Sequence, residues 1–379
     1  MSIEQWMQDA LDHLQEGRSE EAVALLERAK EEAPERPDVQ HALAVVQLNR
    51  GQAGLALEAV DAAIATLEVA QHPDANELHA HFLLTRAAAA EMTDAPDLAV
   101  KSYEEVLERV PNQAQALNGW GQLLLTTGQT TEGKQKLKQY LESSDDIVEA
   151  KEAIAELVNA IERWEAQDTP DPTAFLDAHR GSYCEFFDFH ATRMEEQGWI
   201  AEAAKMKRNP DGSMTVSVEK DARPYAGVRV DLVNPQTGQP GMMGEEPMVV
   251  ALADFEALAH TTCCFEVPSE AFSVAISSQC PWDQLPIQIQ FASGDAIEQA
   301  DDTIGAWYTD GFDGAFGTKT GGRFHFISYP LSHRPHAVLY HVDMGRSERR
   351  SIDDLLERLT ALHETHPIKR VLIGRALLA

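Results

Sequence analysis

The sequence predicts a chain in two parts, in a mixed α plus α/β class. An N-terminal solenoid of helical hairpins occupies residues 1–166. A C-terminal α+β domain with a mixed sheet occupies residues 176–379. Three observations predict this. Small residues, glycines and prolines recur at a fixed spacing through the first 165 residues, as stacked hairpins require. Near residue 214 the apolar period changes from helical to two. Between the parts lies a polar stretch, Gln167–Thr173, which carries Pro170 and Pro172 and reads as a linker over 167–175.

The first repeat shows the spacing most completely. Trp6, Ala10, Gly17, Ala22, Ala29 and Pro34 fall at the fourth, eighth, fifteenth, twentieth, twenty-seventh and thirty-second places of a 34-residue unit. Small residues at the eighth and twentieth places let two antiparallel helices approach closely. Glycine permits the turn between them, and proline stops the second helix. The second unit keeps Ala44, Gly51, Ala56 and Ala63, then carries about nine extra residues near Gln71–His79. The third has Ala87, Ala99, Tyr103 and Pro111, with Asp94 in place of the turn glycine. The fourth has Trp120, Gly121, Gly128, Gly133 and Tyr140. A helix over 147–165 follows, with Ile147, Ala150, Ile154, Leu157 and Ile161 on one face, as a solvating cap.

This pattern resembles the tetratricopeptide repeat (TPR) over residues 3–165, which is 163 of 379 residues. The resemblance implies a concave groove lined by the first helix of each hairpin. Its groove places fall on Asp38, His41, Val45 and Asn49, then His81, Leu84 and Ala88, then Asn118, Gln122 and Leu125. Some members of the family clamp a partner's C-terminal carboxylate with Lys and Arg at these places. This chain has neither there. The expected ligand is an extended or helical peptide without a free carboxylate; alternatively the groove serves only for packing within the chain.

In the C-terminal part, a helical pattern runs over 174–206. Strands are expected at 214–219, 225–233, 248–251, 264–267, 272–277, 287–291, 323–329 and 337–342, and a short helix at 254–260. Strand 337–342, helix 352–363 and strand 369–373 read as a β-α-β unit, which would make the two strands parallel.

Composition narrows the function classes. The chain is 44% hydrophobic and 25% charged, with a net charge of −31. Residues 1–165 hold 31 acidic and 13 basic side chains, or −18; residues 166–379 hold 31 and 18, or −13. Such a field repels nucleic acid and anionic lipid. No uncharged apolar run is long enough to span a membrane, and the N-terminus has no secretory pattern. The four cysteines, Cys184, Cys263, Cys264 and Cys280, form no C-x-x-C pair and read as reduced thiols in a cytoplasm. From 230 to 318 there is no Lys or Arg and there are 14 carboxylates; the last 61 residues carry ten Lys or Arg against six acids. This suits either an acidic face for a basic protein partner or a merely solvated face.

No motif in the C-terminal part names a reaction or a cofactor. Cys280, His325 and Asp343 offer a thiol, a base and an orienting carboxylate, as in transglutaminase-like enzymes; the alternative is that Cys280 is a small apolar residue near a turn. His341 and Asp343 share a strand face and resemble the H-x-D of iron oxygenases. The later histidines available to complete that set are His363 and His366. The glycine-rich stretch Asp310–Gly322 reads as a long loop in which Asp310 and Asp313 could meet a cation, although it lacks phosphate-loop spacing. The helix near Tyr183–His190, with Phe186, Phe189 and Arg193 at helical spacing, reads as a core or inter-domain stripe. The primary expectation is a cytoplasmic interaction scaffold or adaptor whose repeats hold a peptide or protein, with the C-terminal domain a second binding or regulatory module. The alternatives are a thiol-dependent hydrolase or transferase fed by the repeats, and a chaperone-like or immunity-like binder of a basic partner.

Overall fold

The computed structural model describes residues 2–70, 75–93, 95–143, 148–198, 200–201, 204–208, 214–218, 224–225, 232–233, 258, 261–293, 296–318, 322–334 and 336–375. The chain divides into two compact units, Met1–Val158 and Asn159–Leu377.

The first unit consists of hairpins. They are α1 (Ile3–Gln15) with α2 (Ser19–Glu32), α3 (Pro37–Asn49) with α4 (Ala53–Ala70), α5 (Ala75–Met92) with α6 (Pro96–Arg109), and α7 (Ala114–Thr126) with α8 (Thr130–Ser143). Helix α9 (Val148–Glu165) follows, and the division between the units falls within it. Local chemistry sets the boundaries. The Ser2 side chain accepts from Gln5 N at the start of α1. Pro37 and Pro96 open α3 and α6, where the missing N–H costs nothing. Pro34 and Pro111 follow the ends of α2 and α6. Gly17, Gly51 and Gly128 turn their hairpins at φ +77, +72 and +82, backbone that side chains resist. Asp94, expected at the equivalent turn, lies outside the described residues.

The paired small residues behave as their spacing demands. Ala10 and Ala22, Ala44 and Ala56, and Ala87 and Ala99 are all buried. In the last hairpin the helices are closer still. A Cβ on Gly133 would lie 2.8 Å from the Gly121 carbonyl oxygen, so this crossing admits only glycine. The insertion in the second unit extends helices. Regular first helices have 13 residues and regular second helices 14, whereas α4 and α5 have 18 each. The core comes in successive packets, such as Trp6, Ala29 and Val39, then Ala10, Ala22, Leu26, Leu43 and Val46. The valine and leucine side chains among them contribute about 1.5–3 kcal/mol each on burial.

The second unit contains α10 (Thr173–Glu195), α11 (Ile297–Phe312) and α12 (Arg350–His363). Helix α10 begins inside the stretch expected as a linker, because the Asp171 carboxylate accepts from Thr173 N at 3.0 Å. Phe175 then stacks between Trp164 and Phe265, at 4.6 and 5.4 Å. The helix stops at Glu195, earlier than expected. Beyond it are the short strands β1 (Ile200–Ala201), β2 (Ala204–Arg208), β3 (Met214–Val218), β4 (Pro224–Tyr225) and β5 (Leu232–Val233). Strands β2 and β3 pair as an antiparallel hairpin, so residues 204–208 are strand where a helix was expected. The expected strand 248–251 lies outside the described residues, as does most of the expected helix 254–260.

The main sheet holds β6 (Cys264–Val267), β7 (Ser273–Ser277), β8 (Leu285–Phe291), β9 (Phe326–Ile327), β10 (Leu331–Arg334), β11 (Ala337–Asp343) and β12 (Ile368–Ile373). Its order is β10-β11-β8-β12-β7-β6, with β9 also on β11. Only β12 and β7 pair in parallel; the other pairs are antiparallel. The sheet is therefore mixed. The expected β-α-β unit is present but split. Strands β11 and β12 point the same way, and β8 lies between them, antiparallel to both. Leu285, Ile287, Ile289 and Phe291 alternate inward along β8 and join Val338, Tyr340 and Val342 with α10, α11 and α12 in one core. The long loop expected from Asp310 begins as the last turn of α11. The strand expected at 323–329 shortens to Phe326–Ile327, since Phe324 turns in onto Trp307 at 4.7 Å.

Candidate functional site

The first helices α3, α5 and α7 line one cavity of about 300 Å³. Residues at i, i+4 and i+8 of a helix share a face, which puts His41, Val45 and Asn49 of α3 together. His81, Leu84 and Ala88 of α5 lie opposite, and Gln115 of α7 closes one end. Leu48 and Thr85 complete the wall, and no Lys, Arg, Asp or Glu lines it. The imidazole of His41 stacks on Phe82 at 4.4 Å, and its Nε2 lies 2.8 Å from Thr85 Oγ1. The Thr85 hydroxyl itself donates to the His81 carbonyl at 3.3 Å. Its oxygen is thus left to accept from His41 Nε2–H. Burial, reinforced by His81, lowers the His41 pKa to about 4. The cavity therefore presents two imidazoles, of which that of His41 is neutral at neutral pH, with two amides and aliphatic walls.

Two exposed apolar side chains extend this face. Leu11 is 48% exposed and Met92 56%. Leu11 holds the repeat place of Val45 and Ala88, and Met92 that of Asn49. Sequence reasoning named neither of these, nor Leu48, Thr85 and Gln115. The repeat register alone would have found Leu11 and Met92.

Other named groove residues lie elsewhere. Arg36 takes up Asp38 through Nε and Nη2 at 2.9 and 2.5 Å, and also holds Glu4 at 2.8 Å. The Arg36 hydrogen bonds hold the Asp38 carboxyl below its usual range. Gln122 Nε2 donates to Asn118 Oδ1 at 2.8 Å, so these two satisfy each other outside the cavity. Leu125 is fully buried; it turns into the α7–α8 hairpin against Gly133 and is not a groove residue.

In the second unit the thiol candidate and its expected partners are enclosed. Cys280 is fully buried. Its thiol donates to the Ser277 carbonyl at 3.0 Å, and burial pushes its pKa well above the usual range. This thiol is not an accessible nucleophile. His325 and Asp343 do come together, at 3.5 Å between Nδ1 and Oδ1. Tyr183, from the helix expected as a core or inter-domain stripe, places its hydroxyl 3.4 Å from the same Nδ1. All three are buried, so the group sits within the core. Asp343 also accepts from Gly345 N at 3.0 Å and so faces His325. His341 is half-buried on β11, where its N–H donates to Ser328 Oγ at 3.0 Å. His363 Nδ1 accepts from Ile368 N at 3.0 Å and closes the turn after α12. His366 Nδ1 lies 2.9 Å from Thr365 Oγ1. Among the described residues, no cluster of three or more His, Cys, Asp or Glu could hold a metal. Asp310 lies in α11 and is held by Arg358 at 2.6 Å, whereas Asp313 is exposed just after that helix. Phe189 is exposed beneath the Arg193 guanidinium. No helix among the described residues is long and apolar enough to cross a membrane.

Comparison with solved structures returns TPR proteins. YrrB, described as a TPR protein with an unusual peptide-binding site, is 14% identical, covers 42% of this chain and 76% of its own, and has a TM-score of 0.33. A TPR protein from Parabacteroides merdae is 20% identical, with 43% and 63% covered and a TM-score of 0.35. Pseudomonas aeruginosa pilF is 19% identical, with 42% and 81% covered and a TM-score of 0.24. No family model and no curated protein matches the chain. The hairpin lengths, turn glycines and small-residue crossings themselves make residues 3–165 a tetratricopeptide-type solenoid.

Proposed function

We propose that this chain is a protein-interaction scaffold whose concave groove captures a peptide segment by an apolar anchor side chain. One observation carries the reading: a cavity built by three successive first helices, walled by Val45, Leu48, Leu84 and Ala88, without a charged residue. An aliphatic or aromatic side chain fills such a space favourably, and Asn49 and Gln115 supply hydrogen bonds to its backbone. A terminal carboxylate finds no cation there. A second surface supports a role for the C-terminal domain as another binding module. Strand β10 is an edge of the main sheet, and Phe326, Tyr329 and Leu331 stand exposed around it, as at sites that take up an extended chain.

Peptide display against the full chain tests the groove. Selected sequences are expected to share a bulky apolar residue and to lose binding on Ala88→Trp, which fills the cavity from an exposed position. Selection of peptides that bind Ala88→Trp equally well overturns the reading.

A further inference from the structure

A second cleft lies on the other side of α3, where it shows between α2 and α4. Its volume is about 330 Å³. Two residues in its wall set this hairpin apart. At the fourth and eleventh places the other repeats carry Trp6 and His13, Leu83 and Ala90, and Leu117 and Leu124; this one carries Gln40 and Gln47. Both glutamines are more than nine-tenths buried, and their amides are used differently. Gln40 is spent on structure: Nε2 donates to the Pro34 carbonyl at 2.8 Å, and Oε1 accepts from Thr66 at 3.1 Å. Gln47 Oε1 accepts from Arg50 Nη1 at 3.4 Å. That contact orients the amide, since two donors would otherwise face each other. Its Nε2 meets no acceptor among the described residues, and Gln47 lines the cleft.

The rim supplies the complementary charge. Lys30 of α2 is paired with Glu27 at 3.7 Å. Glu58 of α4 also lines the cleft, and no cation among the described residues pairs with it. Leu43, Leu55 and Ala59 form apolar walls, with Leu55 48% exposed. The cleft thus offers the Gln47 amide N–H, the exposed Glu58 carboxylate and an aliphatic surface.

We infer that this cleft binds an apolar α-amino-acid unit with a free ammonium group. The ammonium pairs with Glu58, the neighbouring carbonyl oxygen accepts from Gln47 Nε2, and the side chain lies on Leu43 and Leu55. A free amino acid and the N-terminus of a peptide share this chemistry.

Calorimetric titration of the full chain separates these sources. L-Leucine represents the free amino acid and leucyl-glycyl-glycine the peptide N-terminus; L-leucinamide carries only the shared group. Leucinamide is expected to bind saturably, and whichever of the other two binds as well names the source. N-Acetyl-leucinamide, which lacks the ammonium, is expected to bind about tenfold or more weakly, as expected for losing one charged hydrogen bond. Glu58→Gln at the exposed rim and Gln47→Leu, which installs the residue Leu124 already places in the last repeat, are each expected to weaken leucinamide by a similar factor. Ala88→Trp in the concave groove leaves it unchanged. Absence of saturation at tens of millimolar overturns the inference. So does equal binding of the acetylated probe, or undiminished binding by either cleft variant.

Discussion

The two units treat their reactive and polar side chains in opposite ways. In the repeats, helical periodicity puts apolar residues between hairpins and leaves His81, Asn49, Leu11 and Met92 on an open face. In the second unit, the thiol and the histidine–carboxylate pair that the sequence offered as a reactive set are sealed. Cys280, His325, Asp343 and Tyr183 are each no more than 5% exposed. Histidine or cysteine in a sequence therefore means different things in the two parts. In a solenoid, place within the repeat decides access. In a domain with one core, three-dimensional packing decides it, and burial removes a thiol from nucleophilic chemistry. The contrast extends to stability. Among the described residues, the solenoid has two small packets at its first hairpin and a larger cluster running from α3 to α7, whereas the sheet unit has one core spanning its helices and strands.

The largest expected effect tests that single core. Trp282 is fully buried and its indole N–H donates to the Gly345 carbonyl at 2.9 Å. Trp282→Ala is expected to cost roughly 3–5 kcal/mol. Hydrogen exchange should show the loss spread across β7, β8, β11 and β12 together, with the protection of α1–α4 unchanged. Loss confined to the residues around Trp282 would break the comparison.

Next comes the groove histidine. His41 has a folded pKa of about 4, below its unfolded value of 6.5. Between those values the unfolded chain binds more protons, so this stability is present above 6.5 and is lost as pH falls toward 4. The expected loss is on the order of 2–3 kcal/mol across the window, read by urea unfolding followed through the helical signal. His41→Gln should flatten that dependence. A profile unchanged by the substitution would place the sensitivity elsewhere.

These effects also show how much of the molecule the sequence discloses. The repeats were legible because each hairpin is specified by nearby residues at one spacing. The register also carries past the insertion near Gln71–His79, on either side of which α4 and α5 are longer than their counterparts. Helix α11 was also legible and was missed. Ala300, Ile304, Trp307, Tyr308 and Gly311 form a buried helical stripe, but Asp301, Asp302 and Gly305 between them obscure it. The insertion of β12 beside β8 was not legible, since strand order depends on partners far apart in sequence. The same holds for the groove's edge: Leu125 looked equivalent to Leu48 by place, but the tight glycine crossing of α7 and α8 draws it inward.

That crossing gives the third prediction. Gly133→Val pushes a side chain into the Gly121 carbonyl oxygen and the Leu125 backbone. Overpacking of this kind typically costs about 1–3 kcal/mol. In a solenoid the damage should stay local: exchange is expected to rise in α7 and α8 while α1–α4 keep their protection. An equal rise across all four hairpins would show that the array unfolds as one body, which would erase its difference from the sheet unit.

The smallest effect concerns a carboxylate that sequence reasoning offered to a cation. Asp310 is half-exposed and pairs with Arg358, which also holds Asp354 at 2.6 Å. Exposed pairs of this sort contribute about 0.2–1 kcal/mol, so Asp310→Asn should lower stability by no more than that, and less in high salt. If Asp310 serves α11 and α12 in this way, adding calcium or a chelator leaves the unfolding midpoint unchanged in both the parent and Asp310→Asn. A midpoint that rises with calcium in the parent and not in Asp310→Asn would return this residue to cation binding. It would also show that the sheet unit, like the groove, keeps a polar side chain open to a ligand.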